Sequence, residues 1–399
     1  MDNQSKSRWL LPDGVQETLP PDAQAVENLR RRILQTYLTW GYDLIMPAMI
    51  EYVDSLLTGT AHSLDLKTFT LVDQLSGRQM GVRSDITPQA ARIDAHLLAD
   101  AEHSQRITRL CYCGHLLHAQ GEGITASRTP LQIGAEIFGN GSVAADVEVI
   151  SLMIATLHTA GIDTISVDIG HVGIFRNLVR NTGLNPDQEN RLFDILQRKA
   201  IPELQHYLST LSLNNQLSQQ FCQLALLNGD VSVIHEARQI YADCTDELLQ
   251  SLDHIETVVQ SVQRKYPNTL IHCDLSELRG YSYHTGLVFS AFSLQQSKEI
   301  ARGGRYDDIG EVFGNARPAT GFSADLLELF HLSDQPGKVE LGILAPDLAD
   351  PDLEKMIQTL RQQQQRVIVD LSDGVCSPRK QQCDRILAHR NNGWVVQQV

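Results

Sequence analysis

Apolar residues recur every three or four positions at Val26, Leu29, Ile33, Tyr37 and Trp40, with Arg30, Arg31 and Arg32 on the other faces. This spacing predicts an amphipathic helix that starts after Leu19-Pro20-Pro21-Asp22 and ends at Gly41. A second stripe runs through Val143, Val147, Ile150, Ile154 and Leu157 and stops at Gly161. Thr87-Pro88 reads as a third start, with a hydroxyl cap and proline in the first turn, for a helix running past Leu97.

Between the helices lie short alternating or apolar runs bounded by turn residues, which predict strands. They fall at 42–46, closed by Pro47; in a hairpin at 67–73 and 79–83 turning at Ser76-Gly77; and at 106–113, 131–138, 164–169, 270–275, 286–292 and 299–302. Residues 172–265 are rich in Leu, Gln and Asn at helical spacing and read as a helical insertion. A helix over 323–331 precedes Asp334-Gln335-Pro336-Gly337, which reads as a linker. Beyond it, strands at 339–345, 366–371, 385–388 and 394–399 with a helix at 352–363 make a small α/β segment. Strands joined by turns as often as by helices imply an α+β fold, with domains at 1–333 and 334–399.

A 399-residue chain with 42% hydrophobic residues can bury a full core. No apolar run reaches the roughly 18 residues that a membrane helix needs, and the start Met1-Asp2-Asn3-Gln4-Ser5-Lys6 lacks a signal-peptide core, so a cytoplasmic protein is expected. A formal net charge of −15 argues against affinity that comes from a broad basic surface on nucleic acid. The seven cysteines include no C-x-x-C pair, which favours free or structural thiols over zinc; neither a metal nor a cofactor is implied.

Several segments carry a resemblance. Leu11-Pro12-Asp13-Gly14-Val15, Arg83-Ser84-Asp85-Ile86-Thr87-Pro88, Gln132-Ile133-Gly134-Ala135-Glu136, Leu278-Arg279-Gly280-Tyr281-Ser282-Tyr283-His284-Thr285-Gly286 and Ala301-Arg302-Gly303-Gly304-Arg305-Tyr306-Asp307 occur in this order. Over residues 10–329 the set resembles the histidyl-tRNA synthetase branch of the class II aminoacyl-tRNA synthetases. The resemblance implies an antiparallel sheet flanked by helices and a pocket for free histidine. Arg279 would hold the ligand's carboxylate in a two-point fork, and Asp85, Thr87 and Gln132 its ammonium. Glu136 would accept from one imidazole nitrogen, with a polar group near Tyr283 and His284 at the other. Gly303 and Gly304 would let backbone approach closely. Singly, each has a bland alternative: a surface ion-pair arginine, a helix-start carboxylate, a structural acceptor, a plain turn.

Amino-acid activation also needs fixed cations for ATP. Where the synthetases carry an arginine, this chain has Cys113 in Cys111-Tyr112-Cys113-Gly114-His115; where they carry a second, it has Glu328. His284 stands where a second tyrosine is expected, and the tail, with Leu341–Pro346 as a remnant, is somewhat short for an anticodon-binding domain. These departures are similar to those of the ATP phosphoribosyltransferase regulatory subunits, a paralogous family without catalytic activity of its own. That resemblance implies a short-form catalytic partner in a hetero-octamer, a homodimer through a class II-type interface near residues 25–60, and histidine as effector of the first step of histidine biosynthesis, with no nucleic acid or membrane partner. An active histidyl-tRNA synthetase, or a synthetase-like module sensing uncharged tRNA, stays open at this point.

Overall fold

The computed structural model describes residues 10–56, 66–98, 106–121, 127–180, 182–278, 283–295, 298–314, 316–333, 340–372, 376–390 and 393–399. The described residues of Met1–Thr18 and Val26–Gln335 form one compact unit, and those of Leu19–Ala25 and Pro336–Val399 a second. Among the described residues no helix is long and apolar enough to cross a membrane.

The first helix, α1 (Asp22–Thr39), buries Val26, Leu29, Ile33 and Tyr37, the stripe the spacing indicated. It is followed by β1 (Asp43–Leu44), β2 (Ile50–Tyr52), α2 (Val53–Leu56), and the hairpin β3 (Phe69–Val72) and β4 (Gln79–Val82). The third helix, α3 (Thr87–Arg92), passes into a π-helical turn over Ile93–Leu97. Then come β5 (Thr108–His115), β6 (Leu131–Phe138), α4 (Val143–Thr159) and β7 (Ile165–His171). The helical insertion comprises α5 (Val172–Arg180), α6 (Pro186–Gln197), α7 (Ile201–Thr210), α8 (Asn215–Leu224), the short β8 (Asn228–Gly229), α9 (Ser232–Ile240) and α10 (Asp246–Lys265). After it, β9 (Leu270–Asp274), β10 (Leu287–Ser293), β11 (Lys298–Arg305), β12 (Ala319–Asp325) and α11 (Leu326–Leu332) complete the first unit.

Among the described residues the main sheet has nine strands in the order β1-β5-β6-β12-β11-β10-β7-β9-β8. From β5 to β7 every pairing is antiparallel; β1 on β5 and β9 on β7 are parallel. An α+β arrangement around a mainly antiparallel sheet is therefore observed, as the resemblance implies. Period-2 alternation gives the sheet two unlike faces. On β6, Ile133, Ala135 and Ile137 point to one face, while Gln132, Gly134 and Glu136 point to the other. Helix α4 packs on β6, β12, β11 and β10, and α10 packs on α4. That sandwich explains a difference from the sequence reading: α4 is covered nearly all round, with Ala145, Val149, Leu152 and Met153 buried as well as the expected stripe.

Two other expectations need correction. Residues 323–325 belong to the central strand β12, not to a helix, which starts only at Leu326. Thr87 is not a hydroxyl cap: the residue before α3 is Ile86, which makes no side-chain cap bond. Instead the Asp85 carboxylate accepts from the Thr87 amide at 3.0 Å, leaving the Thr87 hydroxyl for the site described next. The expected linker lies outside the described residues.

The second unit holds β13 (Gly342–Pro346), α12 (Pro351–Gln362), β14 (Val367–Asp370), β15 (Cys383–Arg390) and β16 (Gly393–Gln398), in the sheet order β14-β13-β15-β16. Leu353, Ile357 and Leu360 of α12 pack against Ile343, Ala345, Val367 and Leu387 of the sheet. Asp350 caps α12 through the Asp352 and Leu353 amides, and its second oxygen accepts from the Trp394 indole at 2.9 Å.

Candidate functional site

The polar face of β6 carries the site. Glu136, 1% exposed, accepts at Oε1 from the Thr87 hydroxyl at 3.0 Å and the Tyr112 hydroxyl at 2.9 Å. At Oε2 it accepts from the Tyr306 hydroxyl. The Thr87 hydroxyl also lies 3.1 Å from that of Tyr112. Burial pushes the carboxyl up to about 8 against the pull of the Tyr306, Tyr112 and Thr87 hydrogen bonds, and the Asp85 charge adds to the rise. Near neutral pH the carboxyl therefore favours its protonated form, and an N–H donor hydrogen-bonded to it would stabilise the carboxylate and release that proton to solvent. An ionised carboxylate offers about four lone-pair positions; three hydroxyls leave roughly one, on Oε2, for such a donor.

Two of the other sequence-selected residues are locked to each other. Gln132 donates from Nε2 to Asp85 Oδ1 at 2.8 Å and accepts at Oε1 from the Ile86 amide at 2.9 Å. Asp85, Thr87, Gln132 and Glu136 thus form one connected set at the junction of α3 with β6. His284 is buried, and its ring centroid is 4.2 Å from that of the half-exposed Tyr283. The Tyr283 phenol is pushed above its ordinary range, by desolvation first and then by the negative charge of Asp85, with Glu136 contributing. Arg279 lies outside the described residues.

The space for these groups comes from glycines in register. Gly321 on β12 sits opposite Glu136 on one side and Gly304 of β11 on the other. A Cβ on Gly321 would fall 1.4 Å from Glu136 Oε2, and one on Gly304 would fall 2.8 Å from the His284 ring. The two bare positions form a lane into which Glu136 and His284 fold. Gly134 does the same for Tyr112, its strand partner, whose hydroxyl would be 2.6 Å from a Cβ there. Sequence reasoning missed Tyr112, Tyr306 and Gly321. Tyr306 stood inside a quoted motif without a role, and only strand register reveals the other two.

The positions where a synthetase carries ATP-binding arginines look different. Cys113, half-buried on β5, has its thiol pushed up to about 12 by burial, so it is a neutral group. Two arginines lie close enough to act on it, but Arg30 is bound to Glu27 at 2.7 and 3.1 Å. Arg83 donates to the backbone oxygens of His115 and Pro47 at 2.9 and 2.8 Å. Glu328, in the first turn of α11, is paired with Lys298 at 2.5 Å.

A family model described as histidyl-tRNA synthetase matches residues 14–329, and one described as ATP phosphoribosyltransferase subunit HisZ C-terminal domain matches 340–397. The tail thus matches a domain model of its own. An ATP phosphoribosyltransferase regulatory subunit/histidyl-tRNA synthetase from Bacillus halodurans superposes with a TM-score of 0.82 at 27% identity, covering 94% of this chain and 95% of that one. An ATP phosphoribosyl transferase (HisG:HisZ) complex from Thermotoga maritima contains a chain with the same fold, at TM-score 0.58 and 15% identity, over 78% of this chain and 98% of that one. Fold and site together define a histidyl-tRNA synthetase-like protein. Within that class, an ATP phosphoribosyltransferase regulatory subunit from Thioalkalivibrio sulfidiphilus is 48% identical over 98% of both chains. The chain belongs to the ATP phosphoribosyltransferase regulatory subunit family.

Proposed function

We propose that this chain is the cytoplasmic, non-catalytic partner of a short-form ATP phosphoribosyltransferase catalytic chain, that it activates that chain, and that histidine bound at Glu136 turns the activation down. The carrying observation is a contrast between a polar set kept and cations lacking. The Asp85–Thr87–Gln132–Glu136 set is hydrogen-bonded on the polar face of β6, whereas of the two positions matched to ATP-binding arginines one is the carboxylate Glu328 and the other is Cys113, a neutral thiol on the opposite sheet face. A pocket that keeps amino-acid chemistry and lacks cations for adenylate formation suits sensing and not activation. Arg279, Tyr283 and His284 complete the ligand set, with Arg279 on the carboxylate. The pocket belongs to residues 1–333, with 334–399 as a separate tail domain.

Leu44, Met46, Met49, Ile50, Leu71, Val72 and Leu75 are all exposed along β1 to β4. So much apolar surface in one stretch supports a homodimer through this region, on which the hetero-octamer with catalytic chains is built. The direct test adds the purified chain to a short-form catalytic subunit and follows turnover with and without histidine. Activation that histidine reverses is expected; an unchanged rate in both would sink the reading. Histidine-dependent pyrophosphate exchange by this chain alone would instead support a synthetase.

A further inference from the structure

A buried polar cluster outside the pocket joins the helical insertion to it. Asp146 on α4 is fully buried, and its carboxylate is held from two sides. Arg305 at the end of β11 donates from Nη2 to Oδ1 at 2.9 Å and from Nε to Oδ2 at 3.2 Å. His254 on α10, the last helix of the insertion, reaches Oδ2 through Nε2 at 2.8 Å. Burial alone would raise this carboxyl, yet the His254 hydrogen bond and the Arg305 charge hold it below its ordinary range. Behind His254 stands His171, their ring centroids 5.4 Å apart. Burial drives His171 down to about 3, so it is neutral, and its Nδ1 accepts from the Gly173 amide at 3.1 Å.

The other end of the cluster leads to the pocket. Arg305 Nη1 donates to the Asn140 carbonyl at 3.2 Å and to Asp307 Oδ1 at 3.1 Å. The same Asp307 oxygen accepts from the Ala319 amide at 2.9 Å, and the Asp307 amide donates to the Thr285 hydroxyl at 2.9 Å. The Thr285 amide donates back to the Arg305 carbonyl at 2.7 Å. Residues on both sides of Tyr306, whose hydroxyl grips Glu136, are therefore fixed by this cluster, as is the residue after His284. A buried ion pair is held in one geometry only while its remaining lone pairs are filled. At Asp146 that filling comes from a helix of the insertion.

We propose that His254 is a positioning residue for the ligand pocket: through Asp146 and Arg305 it fixes Tyr306 against Glu136, so that placement of the insertion and occupancy of the pocket are coupled. This rests on the reading of Glu136 as a ligand-binding group, and coupling of this kind acts equally in both directions. Ligand binding should then slow amide exchange in α10, and loss of the His254 contact should loosen the pocket.

The test compares the full chain with His254→Ala, which removes the donor, and His254→Gln, whose amide N–H can take the place of Nε2–H. In hydrogen exchange without ligand, His254→Ala should speed exchange at the Thr285 and Tyr306 amides by about tenfold, the size of an ordinary coupling, and His254→Gln should restore protection. Histidine titrated by calorimetry should bind roughly 5–20-fold more weakly to His254→Ala and normally to His254→Gln. Unchanged exchange at both amides in His254→Ala would overturn the inference, and so would failure of His254→Gln to restore it, because the contact would then be packing alone. If His254→Ala does not fold, His254→Asn, whose shorter amide falls short of Asp146, supplies the same contrast with His254→Gln. Should the unaltered chain bind no histidine while the exchange pattern holds, the ligand reading falls and the positioning role stands.

Discussion

Glu136 concentrates the chemistry of the site, and its proton has a consequence for stability. Its carboxyl is raised from 4.5 to about 8 in the folded chain, so between those values the folded state holds a proton that the unfolded state has released. The contribution is fully present below about 4.5 and is lost as pH rises toward 8. Glu136→Gln has no such proton, so the melting temperature of the variant relative to the unaltered chain should improve steadily across that window; parallel curves would show that Glu136 is not so shifted. Arg279→Ala should weaken histidine binding by roughly 1.5–3 kcal/mol, the range for a charged hydrogen bond, as read by titration calorimetry. At this scale the sequence was readable where one short motif carried two cooperating residues, as with Asp85 and Thr87. It was not readable for Tyr112 and Tyr306, which are far apart in the chain and meet only because β5 and the end of β11 converge on β6.

Among the elements, the strands around the pocket depend on bare positions. Gly321→Ala places a methyl where Glu136 Oε2 lies, so either the carboxylate or the β6–β12 pairing must shift. A destabilisation of about 1–3 kcal/mol in denaturant unfolding, together with loss of histidine binding, is expected. The helices α1 and α4 and the hairpin β3–β4 were legible from periodicity and turn residues, since each buries a face written locally. β12 was not. Ala319-Thr320-Gly321-Phe322-Ser323-Ala324-Asp325 is rich in small residues of weak strand preference, and its place at the sheet centre is set by β6 and β11, its neighbours. The extra burial of α4 has a similar cause, because α10, from the far end of the insertion, covers the side that the stripe left open.

For the whole molecule, the exposed side chains of β1 to β4 predict self-association. Met46→Glu, at a side chain 82% exposed, should leave the fold intact and shift a dimer toward monomer in sedimentation; an unchanged dimer would place the interface elsewhere. The order of segments in the chain determined the fold class, the helical insertion and the family, because periodicity and motif order are local properties that survive without coordinates. Only the tertiary structure decided how the candidate site is built. Which hydroxyls grip Glu136, which glycines make room for it, and how His254 of the insertion reaches Arg305 through Asp146 all depend on strand register and on contacts between residues from 24 to more than a hundred positions apart. No local pattern encodes those contacts.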